Sequence, residues 1–149
     1  MPVEGVADDA PPPHDEPAER LVLCGLLRAW PLAFREIARV GLGRDDLYLF
    51  RHRLVWDAVV GLENAGTPVS AWECWRRLGV MGAWAEWGTD FGCARWLVDL
   101  LEEDPTGMWA MAAAVSVRDA AVRRAVIHRA RRLLRDAWAG VPVAELTAT

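Results

Sequence analysis

The chain has 149 residues, the size of one domain, and 53% of them are hydrophobic, nine of them tryptophan. Its net charge of −4 and pI of about 5.4 argue against a free-standing nucleic-acid binder, which usually shows a basic balance or a strong basic stripe. All 17 basic residues are arginine, so the lysine needed by a G-x-x-x-x-G-K-[ST] phosphate loop, a Schiff base or a Ser–Lys pair is missing.

The three cysteines, Cys24, Cys74 and Cys93, are far apart and form no C-x-x-C pair. His14, His52 and His128 are equally scattered, so no zinc spacing exists and neither metal nor cofactor is expected. Buried, reduced thiols are the simplest reading. The N-terminus is acidic where a signal peptide is basic, and no apolar run approaches the ~20 residues of a membrane helix, which predicts a cytoplasmic protein.

Residues 1–13, acidic and ending in Pro11-Pro12-Pro13, read as a disordered tail. A first helix is expected from Asp15, with Pro17 in its first turn, to just before Pro31; its dense apolar residues predict a central position. Pro31 restarts a helix that Gly41 or Gly43 ends. Asp45 or Asp46 is expected to cap a third helix with the stripe Leu47, Phe50, Leu54, Ala58, Leu62, ending at Asn64-Ala65-Gly66. Ser70 and Glu73 make a capping box for a short helix ending near Gly79. Gly82 and Gly88 interrupt the next stretch, which carries Trp84 and Trp87, and Asp90 is expected to cap a helix with Phe91, Ala94, Leu97, Val98 and Leu101 on one side. After the turn Asp104–Gly107, the longest helix runs from about Met108 to Ala139, and Gly140 and Pro142 stop it. Residues 140–149 form a C-terminal tail. Nothing alternates with period two, so the class is all-α.

Placed at ~100° per residue, the long helix is amphipathic. One arc holds Val115, Val122, Val126, Ile127, Ala130, Leu133, Leu134, Ala137 and Trp138; the other holds Arg118, Arg124, His128, Arg131, Arg132 and Arg135. Asp119 and Arg123 sit inside the apolar arc, four apart with the acid first, the favourable order for a helical ion pair. They either fix the register of an interface or sit at the edge of the core with their charges in water.

Three stretches resemble the N-terminal domain of the DnaB family of replicative DNA helicases. Pro13-His14-Asp15-Glu16-Pro17-Ala18-Glu19-Arg20-Leu21-Val22-Leu23 is similar to that family's opening P-H-x-x-E-A-E-x-x-V-L-G, with Pro17 and Cys24 departing from it. Asp46-Leu47-Tyr48-Leu49-Phe50-Arg51-His52-Arg53-Leu54-Val55-Trp56-Asp57-Ala58 resembles D-F-Y-x-x-x-H-R-x-I-F-x-A, and Leu62–Val69, with Pro68, resembles L-x-x-x-G-x-P-V. Val117-Arg118-Asp119 with Arg123-Arg124 is similar to V-R-E-x-x-x-x-R-R. The resemblance spans residues 12–146; its fold-motif residues here are His14, Glu19, His52, Arg53 and Pro68. The tryptophan-rich stretch Trp72 to Trp96 departs most from the pattern.

The resemblance implies an orthogonal helical bundle over residues 14–139, followed by a long helix or helical hairpin. It implies a non-catalytic, oligomer-forming collar module of the primosome, working by protein–protein interaction in DNA replication with helicase, primase, a loader or a second copy of itself. No membrane or small-molecule ligand is implied, and the family's RecA-like motor is a separate domain. The expected interface residues are Met108, Trp109, Met111, Val115, Asp119, Arg123, Ile127, Leu134 and Trp138. Arg124, Arg131, Arg132 and Arg135 are candidates for phosphate or an acidic partner. Three other readings stand beside this one. In a nucleic-acid module, those arginines would meet phosphate while Trp72, Trp75, Trp84 or Trp87 stacks on bases. An enzyme would use His52 with Asp57 or Glu63, or Cys74 with a histidine, though none of these has diagnostic spacing. The chain would also fit a fragment of a complete replicative helicase.

Overall fold

The computed structural model describes residues 10–148; residues 1–9 of the expected N-terminal tail, and Thr149, lie outside the described residues. Among the described residues there are helices and turns and no strand. The first helix, α1 (Glu16–Arg28), starts as its sequence predicts: the Asp15 carboxylate accepts from the Ala18 N–H at 3.0 Å, and Pro17 occupies the first turn. Pro31 precedes α2 (Leu32–Arg39), and Gly41 at φ +81° takes the chain out of it.

The third helix differs from expectation. Asp45 and Asp46 form a 3-10 turn (Arg44–Asp46), and α3 begins only at Phe50 and runs to Asn64. The reason is a competing hydrogen-bond acceptor. Glu19 of α1 accepts from the backbone N–H of Tyr48 (3.0 Å) and Leu49 (3.3 Å), so this stretch is held out of helix. Ser70 caps α4 (Ala71–Val80), its hydroxyl accepting from the Glu73 N–H at 3.1 Å. After a 3-10 turn at Trp84–Trp87 comes α5 (Asp90–Glu102). Thr89, not Asp90, caps it, accepting from the Gly92 N–H at 2.9 Å; Asp90 is already the first helical residue and accepts from its neighbour Phe91. The long helix α6 (Ala110–Trp138) has 29 residues, roughly 43 Å. Within the expected C-terminal tail, Val143–Thr147 forms one further turn, α7.

The core sits around α1, which packs against α6, α3, α5 and α2. Val22, Leu23, Leu26, Ile37, Leu47, Val55, Leu78 and Leu100 are fully buried. Each such side chain contributes about 1.5–3 kcal/mol relative to staying exposed. The close approach of α1 and α6 depends on Gly25, where an added Cβ would overlap the Ala110 Cβ.

Candidate protein-interaction surface

Two polar devices hold the segments that flank α6. The first is the pair Glu19–His52, both about 1% exposed, with His52 Nδ1 2.8 Å from Glu19 Oε1. With the Tyr48 and Leu49 amides, this carboxylate ties α1 to the start of α3 and fixes the 3-10 turn beside α6. Arg53 adds to the joint by donating Nε–H to the Leu47 carbonyl at 2.7 Å. The second device is Asp104, in the turn before α6. Its Oδ1 accepts from the Thr106 N–H (3.1 Å) and hydroxyl (2.7 Å), and its Oδ2 from the Trp109 N–H (3.0 Å). The Trp109 amide, then Thr106, hold its carboxyl below the usual carboxylate range despite the opposing effect of burial. A carboxylate there also opposes the positive end of the α6 dipole.

The two halves of α6 present different chemistry. In the proximal half the buried face is Ala110, Ala113, Ala114, Val117, Ala120 and Ala121. The sequence reading passed over this stripe, although its spacing of three, four and seven is helical and its small side chains suit close packing. The apolar arc expected from sequence lies instead toward solvent. Met108, Trp109, Met111, Val115, Val122, Val126, Leu134 and Trp138 are exposed, and Ile127 is half-buried. No residue of α6 after Ala121 is buried. Asp119 and Arg123 pair at 3.0 Å with side chains 63% and 68% exposed, so they lie in water within the exposed stripe.

The basic residues divide as well. Arg124 is committed to the body: it donates to the carbonyls of Pro13 (2.9 Å) and Asp46 (2.6 Å), and its guanidinium lies 5.3 Å from the Tyr48 ring centre. His14 stacks on the other participant, Tyr48, at 4.4 Å. Arg118 pairs with Asp46 at 2.8 Å. Arg131, Arg132 and Arg135 lie further out and are exposed.

The tryptophans mostly serve the core. Trp75, Trp84, Trp87 and Trp96 pack against it, Trp75 donating to the Asp90 carbonyl (2.9 Å) and Trp84 to the Trp75 carbonyl (3.0 Å). Trp72 is exposed and stacks on Trp75 at 5.2 Å. The residues considered for catalysis are spent elsewhere. His52 is held by Glu19, Asp57 accepts from Arg44 at 2.7 Å, and Glu63 accepts from the Trp30 indole at 2.7 Å. Cys74 is buried, which pushes its thiol up to about 12, and burial likewise pushes Cys93 up to about 11, so both stay as unreactive thiols. Pro68 lies in the extended connector before α4.

A bundle centred on α1, with one long helix crossing it and running on past its edge, is the fold of the N-terminal domain of DnaB-type replicative helicases. The chain resembles that class over nearly its whole length: the crystal structure of the N-terminal domain of DnaB helicase from Mycobacterium tuberculosis matches it with a TM-score of 0.82 and 28% sequence identity, over 93% of this chain and 94% of that one. No family model matches the sequence, and no curated protein does. Among the described residues no helix is long and apolar enough to cross a membrane.

Proposed function

We propose that this domain is a non-catalytic protein–protein interaction module of the replicative-helicase collar type, acting in primosome assembly by binding helicase, primase or a loader, or by pairing with a second copy. The supporting observation is the stripe on α6: large apolar side chains from Met108 to Trp138 stand in water along a helix whose opposite side is packed on the body as far as Ala121. Single exposed apolar residues are ordinary, whereas a row on one helix face is the pattern of a partner surface. The solvent-exposed pair Asp119–Arg123 sits in the middle of that row and would set its register against a partner.

The test is capture from source-cell lysate with the tagged chain, read by mass spectrometry at low and moderate salt. Recovery of helicase, primase or loader at both salts supports the module. Recovery of none of them, with no self-association either, removes the primosome assignment.

A further inference from the structure

The chain approaches α1 along the side of α6. Asp15, the cap of α1, accepts from the Ser116 hydroxyl at 2.6 Å, and two residues earlier the Pro13 carbonyl accepts from Arg124 at 2.9 Å. His14, between them, stacks on Tyr48, and the Arg124 guanidinium lies over the same ring. Ser116 and Arg124 are eight residues apart on α6, roughly 12 Å. Followed from Asp15 back to Pro13, the chain therefore runs toward the distal end of α6.

The charges on that course are opposite. Residues 1–9 carry Glu4, Asp8 and Asp9 and no basic residue. Residues 122–138 of α6 hold six arginines against one aspartate, a net +5 in a chain whose total is −4. Arg124, Arg131 and Arg135 are spaced by seven and four, which sets them in one line on the helix, and Arg131 and Arg135 are exposed. The line begins where Pro13 is held. Arg131 and Arg135 stand roughly 10 and 16 Å beyond Arg124 along the axis. A proline-rich stretch such as Pro11-Pro12-Pro13 extends by about 3.1 Å per residue, so Asp9 and Asp8 have a reach of roughly 12 and 16 Å from Pro13.

We propose that residues 1–9 lie along the distal half of α6 of their own chain, with Asp9 and Asp8 facing Arg131 and Arg135. There the segment covers Ile127, Leu134 and Trp138, which share this side of the helix with Arg131 at spacings of four, three and seven. Surface ion pairs contribute only about 0–1 kcal/mol each, but a segment tethered at Pro13 meets its site at an effective concentration on the order of millimolar. The contact is thus a cover that a tighter-binding partner displaces. Its consequence for partners rests on α6 being an interaction element; the contact itself does not, and it is tested on the chain alone.

The chain contains no lysine, so Arg131→Lys supplies the only side-chain amine and keeps the charge. Carbodiimide coupling of this variant at low salt, mapped by mass spectrometry after proteolysis, is expected to join position 131 to Asp8 or Asp9 within one chain. The yield is expected to fall severalfold at about 0.5 M salt, where charges are screened beyond roughly 4 Å. With position 131 left as arginine, Asp8→Asn together with Asp9→Asn is expected to speed phenylglyoxal modification of Arg131 and Arg135 by about threefold, with circular dichroism unchanged. Coupling found only between two chains, which gives residues 1–9 to a second copy, overturns the proposal. So does coupling of position 131 to no residue of that segment, or an equal modification rate in wild type and the double variant. Each of those outcomes leaves the collar reading standing, since capture of helicase, primase or loader tests it separately.

Discussion

The proximal and distal halves of α6 share one helix and one amphipathic rhythm, yet they obey opposite rules. In residues 110–121 small side chains, five alanines and Val117, go inward and larger ones outward, and at Ala110 the approach of Gly25 of α1 leaves no room for anything bigger than alanine. In residues 122–138 no side chain is buried, Arg124 reaches back to the Pro13 and Asp46 carbonyls, and arginines occupy the continuation of the face that alanines occupied before. Apolar character alone does not say which face of a helix is buried; side-chain volume does, wherever helices approach closely.

Substitutions on the two halves, and on the body that supports them, should separate sharply. The largest expected loss is Glu19→Ala, which strands two backbone amides and His52 in the interior. It should cost at least about 3 kcal/mol in a urea titration, since each buried polar group left without its partner costs about 1–3 kcal/mol. Next is Ala114→Leu, at a fully buried position of the proximal half: about 1–3 kcal/mol through overpacking.

Asp104→Asn should lower the melting temperature at pH 7 by a smaller amount, with a defined pH signature. The folded carboxyl has a pKa below its unfolded value, so its stabilisation is complete above the ordinary carboxylate range and disappears as pH falls through the depressed value. The difference between wild type and variant should therefore narrow toward acid pH, and an unchanged gap would remove the carboxylate's role. The smallest stability effect belongs to the distal half. Val126→Asp with Leu134→Asp should shift unfolding by no more than about 0.5 kcal/mol, as for surface positions generally.

Much of the fold was legible before any coordinates. Proline, glycine and hydroxyl caps marked α1, α2 and α4 nearly to the residue, because those signals act locally. The start of α3 was not legible, since the carboxylate that displaces it comes from Glu19, far away in sequence. The expected interface residues lie on the exposed side of α6, with Ile127 half-buried, but the apolar period did not say which side of the helix meets the body. The commitment of Arg118 and Arg124 to Asp46 and Pro13 was hidden, since both partners lie across a tertiary contact. The alanine stripe of α6 was visible in its spacing, and was obscured by the larger side chains beside it.

The most direct test of the collar reading is binding of purified replicative helicase, primase and loader to the immobilised chain, compared with Val126→Asp/Leu134→Asp. The account predicts that at least one of the three binds wild type and that the double variant, equally folded, loses at least tenfold in affinity, about 1.4 kcal/mol. Binding that is indifferent to the double variant, or absent for all three proteins, would contradict the claim that the solvent-facing stripe of α6 is the working surface of this domain.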